Sequence, residues 1–308
     1  MYDTIIIGAG PAGVTSAIYA DRAGLKTLVL EKMFVGGQMV NTYEVENYPG
    51  FKMISGPDLS NTFKEHMLSF PSIELKTGTV IDLDLEGEVK KVTTKKETFE
   101  AKTVIITTGA SPRKLGVLGE EEYSGMGVSY CATCDGAMFR GKEVAIVGGG
   151  YTAVEDAIFL SRLCTKVHLI HRRDEFRAGK KIVDNLKKIE NIQIHYDSVV
   201  TEIHGKAEGM RKEVTEISIK NVKTDESIKI NASCIFIAVG QIPQNDIVKD
   251  IVEVNKEGYI LTDNYMKTSI QGVFAAGDGR ENVMKQIITA AAEGAIAAHS
   301  ASSFIANM

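Results

Sequence analysis

The chain has 308 residues, enough for two domains of ordinary size, and its 44% apolar and 24% charged residues are typical of a globular protein. A net charge of -5 without a basic block argues against nucleic acid as the main partner, and no apolar run approaches the ~20 residues that a membrane-spanning helix needs. The first residues carry no signal-peptide pattern, so we expect a cytoplasmic protein with no membrane partner, where a close cysteine pair is more often catalytic than structural.

The first predicted element is a buried parallel strand over residues 4–7 that runs into a glycine-rich turn and a helix. In this context the first glycine of G-x-G-x-x-G makes the tight turn, the second admits a pyrophosphate, and the third lets the helix pack on the strand. The next strand, residues 27–30, ends on an acid that can accept hydrogen bonds from ribose hydroxyls. The alternative is a glycine-rich turn followed by a chance acid. The favoured prediction is a site for FAD or NAD, formed by Gly8, Gly10, Pro11, Ala12, Gly13 and Glu31.

The rest of the first domain is predicted from spacing alone. Helical spacing predicts a helix over residues 59–70, and alternation predicts an antiparallel meander over residues 73–102. Residues 104–110 predict another buried strand that ends in a turn. The chain changes character after this strand, so we place a domain boundary near Lys114.

The sequence Cys131-Ala132-Thr133-Cys134-Asp135-Gly136 carries two cysteines whose spacing can close a small disulfide ring. Such a pair is either a redox centre or half of a metal site. A zinc site needs four ligands, whereas Cys164 and Cys234 lie alone in apolar sequence, where we expect core residues, and no histidine lies at ligand spacing. We therefore favour a redox centre without a metal, with Asp135 as proton donor or acceptor beside the sulfurs.

A second strand, glycine-rich turn and helix begin at Glu143, with Ala replacing the third Gly, so the chain repeats its dinucleotide-binding unit. At the end of its second strand the first unit has Glu31, whereas the second unit has a cluster of arginines within residues 171–177. An acid suits a free ribose 2′-hydroxyl, whereas arginines suit a 2′-phosphate. The second unit therefore predicts NADPH, and the alternative is a solvated basic turn. The predicted residues are Gly148, Gly150, Thr152, Ala153, His171, Arg172, Arg173 and Arg177.

Further along, residues 180–189 predict a surface helix and residues 192–229 predict alternating strands with charged turns. The strand predicted over residues 233–240 repeats the pattern of residues 104–109, and the chain leaves the second domain near Pro243. A last helix, from Lys285 to about Ala301, is rich in small residues and suits close packing against a cofactor or another subunit.

Together these features resemble the low-molecular-weight, bacterial-type thioredoxin reductases, in the class II pyridine nucleotide-disulfide oxidoreductase family, over essentially the whole chain. The Cys-Ala-Thr-Cys-Asp-Gly hexamer directly before the second dinucleotide unit is the specific element, since larger disulfide reductases carry their pair in the first domain. Two departures are Ala137-Met138, where the family commonly has bulky aromatics, and Lys285 in place of an Arg. The other motifs that carry the resemblance are residues 8–13, 36–38, 44–50, 148–153, 171–178 and 268–278.

The resemblance implies an α/β fold with two Rossmann-like, three-layer ββα dinucleotide-binding domains. An FAD domain would comprise residues 1–113 and 244–308, with an NADPH domain, residues 114–243, inserted into it. The resemblance also implies a homodimer. The FAD, held without a covalent bond, would contact residues that include Gly36, Gly37, Gln38, Asn47, Gly277, Asp278, Lys285 and Gln286.

The implied activity passes electrons from NADPH via FAD to the Cys131–Cys134 disulfide and on to thioredoxin or a thioredoxin-like protein. In the family Cys134 would face the flavin, Cys131 would attack the partner's disulfide, and Asp135 would protonate the departing species. The NADPH domain would rotate about hinges near Lys114 and Pro243.

Three other functions are consistent with parts of the pattern. One is a flavin-dependent disulfide reductase fed by a reduced carrier protein such as ferredoxin, and another is a small-molecule dithiol oxidase. The arginine cluster at residues 171–177 argues against both. The third, a non-catalytic nucleotide-binding protein, would leave the Cys-x-x-Cys-Asp sequence without a purpose.

Overall fold

A computed structural model describes residues 1–42, 44–208 and 211–308. The backbone forms two compact units: the first comprises residues 1–111 and 241–308, and the second comprises residues 112–240. The assignment of cofactor domains with boundaries at residues 113 and 243 stays a prediction. Within the described ranges, none of the helices is both long and apolar enough to cross a bilayer.

The described helices are α1 (Pro11–Arg22), α2 (Gly56–Leu68), α3 (Ala132–Asp135), α4 (Tyr151–Ser161), α5 (Lys180–Leu186) and α6 (Ile287–Ala306). Short 3₁₀ turns cover Gly37–Asn41 and Gly136–Phe139. The described strands up to the disulfide are β1 (Tyr2–Ile7), β2 (Thr27–Glu31), β3 (Ile73–Thr77), β4 (Val80–Asp84), β5 (Lys90–Thr94), β6 (Thr98–Ile106), β7 (Ala110–Pro112) and β8 (Val128–Ser129). The later strands are β9 (Glu143–Gly148), β10 (Lys166–Ile170), β11 (Ile192–His195), β12 (Ser198–Glu208), β13 (Arg211–Asn221), β14 (Ser227–Asn231), β15 (Ile235–Ala238), β16 (Gln241–Pro243) and β17 (Val273–Ala275).

The first unit is built on a sheet with the order β3-β2-β1-β6-β5-β4, and β17 also pairs with β6. Strands β3, β2, β1, β6 and β17 are parallel, whereas β4, β5 and the first half of β6 form an antiparallel meander. The meander predicted from Ile73 was therefore wrong at its start, since Ile73 pairs with Thr27 in parallel register. Strand β3 follows α2, and a strand reached through a crossover helix enters the sheet in the parallel sense.

Alternating side chains of this sheet enter two separate cores, as the period of two in a strand requires. Ile6 packs in the core on the side of α1 and α6, whereas Ile5 and Ile7 pack in the core on the opposite face. The small residues of α6 allow it to pack closely on α1. The Ser16 hydroxyl of α1 donates a hydrogen bond to the Gly294 carbonyl of α6 at 3.0 Å. The sheet therefore lies between a helical layer and a second layer, with close helix packing on one side.

The second unit repeats this plan with a parallel sheet of order β11-β10-β9-β15-β8 and a separate antiparallel sheet, β12-β13-β14. Val144 and Ile146 pack in the same core as residues of α4, and Ala145 and Val147 pack with residues of the antiparallel sheet. Cys234 lies fully buried in the core on the α4 side. Cys164 lies buried in the same core, so both cysteines are core residues, as predicted from the sequence.

A pair of histidines lies in the parallel sheet of the second unit. His168 on β10 is 4% exposed, and its Nδ1 lies 3.0 Å from Nε2 of His195 on β11. His168 Nε2 is buried without a hydrogen-bond partner, and the nearest carboxylate, that of Glu143, lies 3.9 Å away. Burial first, and then the nearby His195 and Lys166, lower the pKa of His168 from 6.5 to about 4. The pair is therefore a buried neutral group that acid must charge.

We predict that acid destabilises the second unit through this pair. Because the folded-state pKa of His168 lies below the value of 6.5 of an unfolded histidine, the unfolded chain binds more protons between pH 6.5 and about 4. Stability should fall as the pH is lowered through that window and level off below it. In His168→Asn, whose amide does not titrate, the thermal unfolding midpoint should fall less steeply with acid. His66→Gln, at an exposed position, should keep the wild-type slope, and equal slopes in all three proteins would contradict the prediction.

Candidate active site and cofactor sites

The cysteine pair begins at the end of β8, where Cys131 precedes the short helix α3. Cys131 and Cys134 form a disulfide, so the predicted pairing is confirmed. The Cys134 N–H donates to Cys131 Sγ at 3.2 Å, and Thr133 Oγ1 lies 3.4 Å from the same sulfur. Among the described residues, no group of three or more His, Cys, Asp and Glu side chains is arranged to hold a metal ion. Donors around Cys131 Sγ favour a thiolate there once the disulfide is open.

Asp135 follows the pair directly and is partly buried. Its Oδ2 accepts a hydrogen bond from Ser129 Oγ at 2.6 Å, and Ser129 Oγ accepts one from the Cys131 N–H at 3.1 Å. Burial raises the pKa of the Asp135 carboxyl, and the hydrogen bond from Ser129 works in the opposite direction. The carboxyl is thus in a setting that favours its protonated form, as a proton donor requires. Ser129 gave no signal in the sequence.

A second carboxylate holds the segment that leads to the disulfide. Glu120 is 1% exposed and accepts hydrogen bonds from the backbone N–H groups of Leu115 and Gly116, at 2.9 and 2.6 Å. It also accepts one from the Tyr130 hydroxyl at 2.9 Å. Burial and this carboxylate raise the pKa of Tyr130, so its hydroxyl stays protonated. The hydrogen bond to Glu120 thereby anchors Tyr130, which directly precedes Cys131.

The first glycine-rich turn lies between β1 and α1 in the first unit. Gly8 has φ +106°, and a Cβ there would overlap the Thr107 carbonyl, while a Cβ on Gly13 would overlap the Gly8 carbonyl. Gly10 is the N-cap of α1 and Pro11 occupies its first turn, with no side chain capping the helix. The first N–H groups of α1 are therefore left for a ligand, as in phosphate-binding helix termini.

The predicted acid closes this turn. Glu31 accepts from the Ala9 N–H through Oε2 at 2.7 Å and from the Met33 N–H through Oε1 at 2.9 Å. The Gly36 N–H donates to the Ala9 carbonyl at 2.8 Å, and a Cβ on Gly37 would lie 3.2 Å from the Gly10 Cα. The two glycine turns therefore approach each other closely, and a side chain at Gly37 would require the Gly10 backbone to shift. Ala12 is buried, and Gln38 is exposed beside Gly37.

The remaining residues predicted to hold FAD lie after β17 and at the start of α6. Gly277 has φ +80°. Asp278 Oδ1 is buried without a hydrogen-bond partner, and burial raises the pKa of this carboxyl to about 6, against the opposing effect of Lys285. Lys285 Nζ donates to the Asp278 carbonyl at 3.3 Å, and Asn47 Nδ2 donates to Gln286 Oε1 at 3.0 Å. In the first unit one hydrogen bond thus joins Lys285 to Asp278, and another joins Asn47 to Gln286.

These residues fit a bound dinucleotide. The N-terminus of α1 is uncapped, the backbone at Gly10 and Gly37 admits a close ligand, and the Asp278 carboxylate has an oxygen that no protein donor satisfies. A buried polar atom of this kind is costly unless a ligand or water pairs with it. The assignment of individual residues to FAD stays a prediction.

The second glycine-rich turn repeats the arrangement between β9 and α4. Gly150 is the N-cap of α4 with no side-chain cap, and the Arg177 N–H donates to the Gly149 carbonyl at 2.8 Å. Arg172, Arg173 and Arg177 are exposed around this turn. Thr152 is exposed in the first turn of α4, and Gly148 and Ala153 are buried below it. Exposed arginines beside an uncapped helix terminus fit a nucleotide with an additional phosphate.

The motif suggests that His171 contacts NADPH, but its ring is buried beneath the second glycine-rich turn. It is 5% exposed, its Nε2 lies 2.9 Å from the Glu175 carbonyl oxygen, and it stacks on Phe176 with ring centroids 4.9 Å apart. A Cβ on Gly149 would overlap the same ring. His171 therefore supports the arginine turn from below, and its predicted contact with NADPH stays a prediction.

The pyridine nucleotide-disulphide oxidoreductase family model matches residues 2–294 of this chain. The chain is 42% identical to a thioredoxin reductase of Bacillus subtilis over 99% of this chain and 95% of that protein. It is 44% identical to a thioredoxin reductase of Listeria monocytogenes, over 99% and 94%. The crystal structure of a thioredoxin reductase from Streptococcus pyogenes matches with a TM-score of 0.94 and 44% identity, over 100% of this chain and 99% of that one. The resemblance and the α/β fold with two Rossmann-like units are thereby confirmed.

We predict that Gly149→Ala weakens nucleotide binding at the second turn. The added methyl group would overlap the His171 ring and displace either the ring or the turn that carries the arginines. The Kd for NADPH, measured by fluorescence titration, should rise at least about tenfold, since a shift of ~1 Å at a positioned site commonly costs that much or more. Gly179→Ala, where a Cβ meets nothing within 4 Å, is the matched control, and equal affinities for both variants would contradict the prediction.

Proposed function

The chain belongs to the pyridine nucleotide-disulphide oxidoreductase family, and we propose that it acts as a thioredoxin reductase that passes electrons from NADPH via FAD and a redox disulfide to oxidised thioredoxin or a thioredoxin-like protein. One observation carries this function: the Cys131–Cys134 disulfide, followed directly by a partly buried Asp135, in a chain that matches thioredoxin reductases over nearly its whole length.

FAD, when bound, supplies a two-electron carrier between the nicotinamide and the disulfide. Residues at the first glycine-rich turn, together with Glu31 and Asp278, would hold it through the uncapped helix terminus and the unsatisfied carboxylate oxygen. Arg172, Arg173 and Arg177 would hold the 2′-phosphate of NADPH as solvent-facing cations. In each unit a helix N-terminus would bind the nucleotide phosphates. The charged side chains that follow the next strand, Glu31 in the first unit and the arginines in the second, would distinguish FAD from NADPH.

Opening the disulfide takes two electrons and two protons and leaves thiols at Cys131 and Cys134. The Cys131 sulfur accepts a hydrogen bond from the Cys134 N–H, which stabilises a thiolate there, and we assign the attack to Cys131, as the family resemblance implies. In the partner step, the Cys131 thiol gives its proton to the Asp135 carboxylate as its sulfur bonds to one sulfur of the thioredoxin disulfide. The other thioredoxin sulfur leaves as a thiolate and takes that proton from Asp135.

The second half of the exchange restores the enzyme. The Cys134 thiol releases its proton as its sulfur attacks Cys131 Sγ, the Cys131–Cys134 bond forms again, and the bond between Cys131 and thioredoxin breaks. The second thioredoxin sulfur leaves with the remaining proton as a thiol. Two electrons and two protons have then passed to thioredoxin, so the exchange balances.

The two alternative enzymes are not favoured. Neither enzyme, a reductase fed by a carrier protein or a small-molecule dithiol oxidase, needs a binding site for the 2′-phosphate of NADPH. The exposed arginines beside the uncapped N-terminus of α4 therefore argue against both. NADPH oxidation without a reduced carrier protein such as ferredoxin would exclude the first, and the absence of hydrogen peroxide formation from dithiols would exclude the second.

We predict that NADPH bleaches the flavin of the purified protein in a stopped-flow titration, and that NADPH is then consumed catalytically only when thioredoxin is present. Cys134→Ser should abolish thioredoxin reduction because no internal disulfide can form, yet keep the flavin bleaching. Cys164→Ala, at a buried cysteine outside the disulfide, is the control and should keep most of the activity. Full thioredoxin turnover by Cys134→Ser would exclude the mechanism, and no bleaching by NADPH would favour the carrier-protein alternative.

We further propose a homodimer in the cytoplasm, where thiols are kept reduced and a disulfide of this kind can cycle. Helices α1 and α6 pack on each other, and their outer positions expose Tyr19, Ile288 and Ile296. Exposed apolar side chains on neighbouring helices favour contact with a second copy.

We predict that light scattering after gel filtration gives the mass of two chains, and that Ile296→Glu gives the mass of one. The glutamate would place a charge in the apolar contact. Ile81→Glu, at an exposed isoleucine on β4, is the control and should stay dimeric. A dimer in both variants would exclude this face as the interface.

A further inference from the structure

We propose that Ser129 is a positioning residue for Asp135, and that its hydroxyl reorients between the Asp135 carboxyl and the backbone carbonyl of Cys131 as the proton is delivered. This inference rests on the proposed disulfide exchange, for which Asp135 is the acid. It assigns a role to a residue that lies outside the Cys-x-x-Cys-Asp sequence.

The position of Ser129 is fixed by the sheet rather than by a loop. Ser129 is the last residue of β8, it is 5% exposed, and its backbone is paired in register with Phe236 of the neighbouring strand. Its Oγ lies 2.6 Å from Asp135 Oδ2, 3.1 Å from the Cys131 N and 3.3 Å from the Cys131 O. A single hydroxyl therefore lies between the acid and the backbone of the attacking cysteine.

A hydroxyl has one hydrogen to donate and two lone pairs. The Cys131 N–H always donates to one lone pair, so the hydrogen of Ser129 must choose between Asp135 Oδ2 and the Cys131 carbonyl. When Asp135 is ionised, the carboxylate takes the hydrogen, because a charged acceptor is the stronger one.

When Asp135 is protonated, its own O–H can donate to the second lone pair of Ser129 Oγ. The hydrogen of Ser129 then turns to the Cys131 carbonyl oxygen, which lies within reach. In both protonation states Ser129 Oγ and Asp135 Oδ2 remain hydrogen-bonded to each other. Asp135 can thus gain and lose its proton without the cost of an unsatisfied buried group.

The other groups around Asp135 do not take over this role. Burial raises the pKa of the Cys234 thiol, the charges of Asp135 and Cys164 raise it as well, and Lys142 lowers it, so Cys234 stays a neutral thiol in the core. Helix α4 presents apolar side chains to the neighbouring Gly136.

Two acids of α4 also lie in this unit. The pKa of Asp156 is raised to about 6 by burial and by Glu155. Because Asp156 is a second carboxyl with a raised pKa, a pH profile alone is not sufficient. The test must separate Asp135 from it by a second substitution.

The experiment compares two disulfide substrates with the pre-reduced holoenzyme. An aliphatic disulfide such as hydroxyethyl disulfide releases a high-pKa thiolate that needs a proton, whereas 5,5′-dithiobis(2-nitrobenzoate) releases a low-pKa aromatic thiolate that leaves without one. In Ser129→Ala we expect the aliphatic disulfide to react about tenfold more slowly, because a carboxyl that is no longer held in position delivers its proton less effectively, and the aromatic one to react at the wild-type rate.

The pH dependence gives a second readout. Without the Ser129 hydroxyl, the ionised Asp135 carboxylate loses a hydrogen-bond donor, so the pKa of Asp135 should rise. The rate with the aliphatic disulfide should then begin to fall at a pH about one unit higher than in the wild type. Ser129→Thr, which keeps the hydroxyl, should restore both the rate and the profile. Ser129→Ala/Asp135→Asn should react no more slowly than Asp135→Asn, because both changes act through one group. Ser161→Ala, which removes a hydroxyl on α4 bonded to the Ile158 carbonyl, is the matched control.

An equal slowing of both disulfides in Ser129→Ala would show a merely structural role and overturn the proposal, as would an unchanged aliphatic rate. Neither substrate is thioredoxin, so the test of Ser129 is independent of the physiological partner. A wild-type enzyme that reacts with both small disulfides but not with thioredoxin would overturn only the proposed function.

Discussion

Both units of this protein depend on one constraint at the end of a parallel strand, where the backbone turns into a helix that must pack against the strand it has just left. A Cβ on Gly8 or Gly13 would overlap backbone carbonyls in the first unit, and a Cβ on Gly148 would overlap the Ala238 carbonyl in the second. The close packing that excludes side chains also leaves the first N–H groups of α1 and α4 uncapped. The same geometric requirement therefore forms the fold and the nucleotide sites.

The two turns then differ in what secures them. In the first unit both carboxylate oxygens of Glu31 accept backbone N–H groups, so the acid shapes the turn as well as offering its charge. In the second unit the buried ring of His171 lies beneath Gly149, and the arginine side chains extend into solvent. A negative and a positive surface thus arise on the same backbone plan, which lets one chain bind two different dinucleotides.

The sequence predicted those parts of the molecule whose cause is local. Glycine spacing after a β-branched run predicts the two turns, because the steric demand falls on consecutive residues. Alternation could not tell a parallel from an antiparallel strand, so Ile73 was assigned to the meander although it pairs with Thr27. Ser129 and Glu120 were missed because their partners are set by tertiary packing, and an isolated Ser or Glu carries no pattern. His171 belongs to a recognisable motif, but its burial depends on Phe176 and Gly149, which the motif does not specify.

The disulfide illustrates why these missed residues matter for chemistry. A Cys-x-x-Cys pair in isolation is nearly symmetric, and exchange with a partner needs one sulfur to attack and the other to resolve the mixed disulfide. Here the Cys134 N–H donates to Cys131 Sγ, which stabilises a thiolate at Cys131. The Ser129 hydroxyl joins the Cys131 backbone to Asp135, and Glu120 fixes Tyr130 just before the pair. The position of the proton donor therefore depends on Ser129, and the anchoring of the pair depends on Tyr130 and Glu120. A short peptide with only the six residues from Cys131 to Gly136 would lack these contacts.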